Sequence, residues 1–123
     1  MAKRHDLRAL YIAGWYEMDV DKLLAATAKD FMFDDPAEPR PVRREDLTGY
    51  MQRWLKRTNG CNEWRLSHEV REDKDGVLTD WEWWEVVGTD LNGTAVVTTS
   101  DAGVHLERIT YFARELHATG DDG

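Results

Sequence analysis

The spacing of apolar residues changes period along this chain, and that change constrains the fold more than any other feature. Before about residue 58 apolar residues recur mostly at three- and four-residue steps, the spacing of helix faces. From Trp64 onward they alternate, the spacing of strands. In the first part, Leu7, Leu10, Tyr11, Gly14, Trp15 and Met18 form one stripe and predict an amphipathic helix. Asp19 to Asp21 breaks that helix, and Asp21 is placed to cap a short second one from Lys22 to about Ala28. A third helix is expected from about Arg44 to Thr58, with Leu47, Tyr50, Met51, Trp54 and Leu55 inward and Asn59-Gly60 as its stop.

The second part reads as four strands. Trp64, Leu66, His68 and Val70 alternate with Arg65, Ser67, Glu69 and Arg71. Val77 to Val87 follows a turn at Asp73 to Gly76, with Trp81 and Trp83 on one face and Trp84 and Val86 on the other. Thr94 to Ser100 is rich in β-branched residues, and Val104 to Phe112 follows a tight connection at Asp101 to Gly103. The tail after about residue 116 is polar and expected to fray. Helices first and a meander afterwards is an α+β plan: one domain, residues 1–123, with helices on one face of a curved, mostly antiparallel sheet.

Composition narrows the function. A net charge of -8 argues against a nucleic-acid partner, which would need clustered Lys and Arg. Cys61 is the sole cysteine, and no CxxC pair or HExxH helix supports a metal site. No stretch reads as a membrane span or secretion signal, so a cytoplasmic protein is expected. Six tryptophans must be buried, line a cavity or form an interface. Their presence on both faces of one strand points to a helix-covered cavity on one side and a second subunit on the other, hence a homodimer through the outer sheet face.

The run Phe31-Met32-Phe33-Asp34-Asp35-Pro36 carries the candidate chemistry. On a strand, Phe31, Phe33 and Asp35 share a face, which sets a carboxylate at the end of an apolar row and suits it to general-base work. The plain alternative is a polar turn after an edge strand. His68, among Trp64, Leu66 and Val70, is either a satisfied core histidine or a second acid–base group across the pocket. His105 reads with Glu107, Ile109 and Tyr111, at the sheet surface or a dimer face. Arg40, Arg43 and Arg44 read as a solvated rim.

The order of elements resembles the cone-shaped fold of nuclear transport factor two, the SnoaL-like polyketide cyclases and the ketosteroid isomerases. Tyr11-Ile12-Ala13, Asp19-Val20-Asp21 and Asp34-Asp35-Pro36 are similar to the N-terminal third of the isomerases, including the interval of 24 residues between Tyr11 and Asp35. The resemblance implies Tyr11 as oxyanion donor and Asp35 as general base, with no cofactor or metal. It implies a hydrophobic carbonyl ligand, with Trp15, Phe33, Trp54, Trp64 and Trp83 as pocket residues and His68 as an auxiliary group. The reaction would be isomerisation, cyclisation or dehydration, and the alternative is a non-catalytic binding or dimerisation module on the same scaffold. The isomerases' third residue, a protonated aspartate, aligns near Ala95, where no acid stands. That departure fits the broader SnoaL-like group better than steroid isomerisation.

Overall fold

A computed structural model describes residues 3–60 and 63–112. The expected polar tail falls outside the described residues. Helix α1 spans Lys3–Glu17 and α2 spans Val20–Ala26. Asp19, rather than Asp21, caps α2: its carboxylate accepts from the Asp21 and Lys22 amides. The two helices touch where Gly14 leaves room, since a Cβ there would lie 2.7 Å from Leu23 Cδ2. Strand β1 (Thr27–Asp34) begins four residues before the expected start, continuing directly from α2. Phe31 and Phe33 are buried, and Asp35 beyond them is buried too. The loop holding Pro36, Pro39 and Pro41 then turns back, and Val42 pairs with Phe33 through two 2.8 Å backbone bonds. A 3₁₀ turn, Arg44–Asp46, leads into α3, Leu47–Arg57.

Four long strands follow: β2 (Trp64–Lys74), β3 (Val77–Val86), β4 (Asn92–Ser100) and β5 (Gly103–Tyr111). The sheet order is β1-β5-β4-β3-β2, with β1 parallel to β5 and every other pair antiparallel. The α+β expectation therefore stands, with α1 packed against β3, β4 and β5. The core joins the apolar stripes of α1 and α3 to the inward residues of the sheet, Trp84, Val86, Ala95, Val97, Val104 and Ile109 among them. No helix among the described residues is long and apolar enough to cross a membrane.

Two bulges change which residues face inward. In β2 the partner of Leu66 is Trp84 and the partner of His68 is Trp83, so Ser67 is the extra residue. Trp64 and Leu66 pack on the core, whereas His68 and Val70 are exposed. His68 lies on the outer face, its ring 5.1 Å from that of Trp83. This corrects the expectation that both would line the pocket: the bulge turns His68 outward, and strict alternation with buried Trp84 turns Trp83 outward. In β5, Val104 pairs with Thr99 and Leu106 with Thr98, leaving His105 as the extra residue. Glu107 pairs with Val97 and Ile109 with Ala95, both inward, so His105 does not share their face as simple alternation suggests.

Gly103 opens β5 at φ 125, where β1 crosses closely; a Cβ there would stand 2.7 Å from backbone atoms of Thr27 and Ala28. Gly103→Ala combines backbone strain with that collision. It is expected to destabilise the fold by about 3 kcal/mol, lowering the melting temperature by about 10 °C or more in a circular-dichroism melt.

Candidate functional site

A cavity of about 60 Å³ lies between α1, α3 and the inner face of the sheet. Trp15, Phe33, Trp54 and Trp64 line it as expected, and Trp84 and Tyr50 complete the aromatic wall. The rings pack edge-on and tilted against one another, for example Trp15 on Tyr50 at 5.9 Å and Trp54 on Trp84 at 6.2 Å. Four polar side chains also face the space: Arg8, Tyr11, Glu82 and Glu107.

Tyr11 and Glu107 form the central pair. The Tyr11 hydroxyl donates to Glu107 Oε1 at 2.6 Å. Burial pushes the Glu107 carboxyl up to about 7, and the negative charge of Glu82 adds to this; the Tyr11 bond and the Arg8 charge work the other way, and Asp35 adds a further upward push. Burial, then the neighbouring Glu107 charge, holds the Tyr11 phenol well above its ordinary range, so it remains a proton donor. One helical turn earlier, buried Arg8 donates to Asp80 Oδ2 at 3.0 Å and to Glu82 Oε2. Arg71 approaches Asp80 from the rim at 2.6 Å. Burial raises Glu82 as well, against the pull of Arg8.

Asp35 occupies a separate network. Its Oδ2 accepts from the Tyr50 hydroxyl at 2.7 Å, the Tyr111 hydroxyl at 3.0 Å and Arg57 at 3.3 Å, and its Oδ1 accepts from the Ala37 amide at 2.8 Å. It is 2% exposed and is not among the residues that line the cavity; Tyr50, which does line it, holds the carboxylate behind the wall. Burial and the Asp35 charge raise both tyrosines. Tyr11 and Asp35 are thus each committed to different partners, and His68 and Trp83 lie outside the chamber.

Arg8, Glu82 and Glu107 were not singled out from the sequence. Arg8 precedes Tyr11 by three residues on the same helical stripe, and Glu82 shares the phase of inward Trp84 on β3, so two of the three carried a periodic signal. Glu107 was hidden by the bulge at His105. Among the described residues, no group of three or more His, Cys, Asp or Glu side chains is gathered as a set of metal ligands.

No protein-family model and no curated protein sequence matches the chain. Solved structures do match its fold. A candidate SnoaL-like polyketide cyclase from Shewanella putrefaciens superposes with a TM-score of 0.67 at 14% identity, covering 98% of this chain and 85% of the other. TerC, co-crystallised with polyporic acid, gives 0.64 at 12% identity over 94% and 96% of the two chains. A candidate ketosteroid isomerase from Kribbella flavida gives 0.61 at 14% identity over 90% and 78%. The chain therefore has the cone-shaped fold of these nuclear transport factor two-like proteins.

Two outcomes are expected of the site. Asp35→Ala leaves Arg57 and two buried hydroxyls without their acceptor, and is expected to cost about 3 kcal/mol in urea unfolding. Glu107 holds its proton in the folded state up to about pH 7, against an ordinary value of 4.5. Between those values the folded chain binds more protons than the unfolded one, so this group's contribution is full below about 4.5 and is lost as pH rises through 7. Glu107→Gln keeps an acceptor for Tyr11 and removes that loss. The variant's stability relative to wild type is expected to rise by roughly 1–3 kcal/mol between acid and mildly alkaline pH, read from paired urea titrations.

Proposed function

We propose that this chain is a cofactor-independent enzyme that moves a proton on the carbon next to the carbonyl of a small hydrophobic ligand. Glu107 is the acid–base group and Tyr11 the donor to the oxygen. The observation that carries this reading is the 2.6 Å Tyr11–Glu107 contact inside an aromatic-walled cavity. A carboxyl near 7 is available in both protonation states at neutral pH, as a general acid–base group requires. When Glu107 takes the substrate's proton, it loses the negative charge that attracts the Tyr11 hydroxyl. The developing enolate oxygen gains that charge, and the hydroxyl turns to it. Asp35, with both oxygens already accepting, supports the chamber by holding Tyr50, Tyr111 and Arg57 rather than by taking the proton.

Isomerisation, cyclisation and dehydration all begin with this step. The likeness of the fold to a candidate polyketide cyclase and a candidate ketosteroid isomerase supports that class. The test is solvent deuterium uptake at the α-carbon, followed by NMR across a panel of small cyclic and aromatic ketones. Exchange above buffer is expected, falling about a hundredfold or more in Glu107→Gln and much less in Asp35→Asn. Absence of wild-type exchange throughout the panel, or exchange that survives Glu107→Gln, overturns the reading.

The outer face favours a second reading, a module for dimerisation or ligand binding without turnover. Val70, Trp81 and Trp83 are exposed side by side, paired across β2 and β3, and Val96 continues the row onto β4. A homodimer through this face is the matching proposal and is compatible with either reading. Sedimentation at micromolar concentration is expected to show a dimer that Trp81→Lys converts to monomer; a monomeric wild type removes the proposal.

A further inference from the structure

At the turn between β4 and β5, three side chains that do not line the cavity stand in a row. With its proton on Nδ1, the His105 imidazole donates to Asp30 Oδ1 at 2.6 Å and accepts from the Ser100 hydroxyl at Nε2, also at 2.6 Å. The Ala102 amide donates to Ser100 Oγ at 3.1 Å, so the serine oxygen is held from two sides. A hydroxyl on an imidazole whose far nitrogen is bound to a carboxylate is the arrangement that activates a serine as a nucleophile, whatever fold supplies it.

The backbone builds this row from two irregularities. His105 is the extra residue of the β4–β5 bulge, and Asp30 lies in the stretch between Thr27 and Met32 where the β1–β5 register shifts. Each irregularity aims a side chain that regular pairing would send elsewhere. Gly103, packed against the backbone of Ala26 to Ala28, fixes the two strands at this point. Ser100 is half-buried, and Asp30 is largely in solvent, where its part is to orient the imidazole. Asp30, the carboxylate in contact with His105, disfavours an anionic substrate.

We infer that Ser100, His105 and Asp30 form a second, nucleophilic site that takes the acyl group of small uncharged esters. Ser100 Oγ attacks the ester carbonyl carbon while its proton passes to His105 Nε2. The new Oγ–C bond is kept, the bond to the alcohol oxygen breaks, and the alcohol leaves with the proton from His105. Water then attacks the acyl carbon with His105 as base, releasing the carboxylic acid and restoring the serine.

The sequence supplies an internal control, because Ser67 is the only other serine, and its hydroxyl donates to the Trp83 carbonyl at 3.3 Å. The full chain is incubated with an alkyl fluorophosphonate, from which the serine displaces fluoride, and separately with p-nitrophenyl acetate. Adducts are located by intact mass and peptide mapping. A single adduct on Ser100 is expected, forming about a hundredfold faster than any adduct on Ser100→Ala. His105→Gln should abolish the excess, and Asp30→Asn should cut it about tenfold. Circular dichroism of each variant separates loss of reactivity from loss of fold, and Ser100→Ala, at a half-exposed position, keeps the comparison available if His105→Gln unfolds. No adduct on wild type, labelling shared equally with Ser67, or a rate unchanged in folded Asp30→Asn and His105→Gln would show that the row is a clamp between strands and overturn the inference.

Discussion

The buried guanidinium of Arg8 is the constraint around which the inner face is arranged. A charge withdrawn from water must be met by opposite charge, and Asp80 and Glu82 on β3 supply it. That requirement fixes how α1 lies across the sheet. Arg4, one turn before, reaches Asp73 on β2 at 2.9 Å; Tyr11, one turn after, reaches Glu107 on β5; Trp15 follows at the cavity. One helical stripe therefore meets β2, β3 and β5 in turn. Replacing this network by apolar side chains could be as stable; what the ion pairs add is a fixed geometry, tying α1 to two carboxylates of β3. The polar contacts act as the register marks of the helix–sheet interface.

The same network sets the chemistry of the chamber. Arg8 is shared between two carboxylates and so offers Glu107 only partial compensation. Glu107 is left among aromatic rings with a phenol as its direct partner and Glu82 as a like-charged neighbour. Asp35, by contrast, has an arginine, two phenols and an amide. Asp35 thus has four donors around it, whereas the hydrogen bond to Glu107 comes from the Tyr11 hydroxyl.

Much of the architecture was legible from spacing. The switch from helical steps to alternation separated the helices from the meander, and Phe31, Phe33 and Asp35 do share the inward face of their strand. Trp15, Phe33, Trp54 and Trp64 could be assigned to the chamber because each belongs to an apolar stripe or an inward phase. Two of the errors of facing have one physical source. A bulge adds a residue to one strand without altering its composition, and every later side chain changes face. Ser67 did this to His68, and His105 did it to Glu107. Trp83 is a different case: two adjacent tryptophans on a strand cannot share a face, and the sequence does not say which one goes inside. Partners from distant elements were not legible at all. Nothing in the order of residues announces that Tyr50, Arg57 and Tyr111 converge on Asp35.

The parallel pairing of β1 with β5 joins Thr27 to Val104, residues near opposite ends of the described chain. A ribosome delivers the helices and the first strand long before the partner that covers that strand exists. Closing so long a loop carries a heavy entropic penalty and makes the contact late and slow. Until β5 emerges, Phe31 and Phe33 lie on a strand without its partner, the kind of surface on which nascent chains stick to one another. Among the described strands, the one that shelters β1 is therefore the one made latest, and until it pairs the phenylalanines depend on the helices alone for cover.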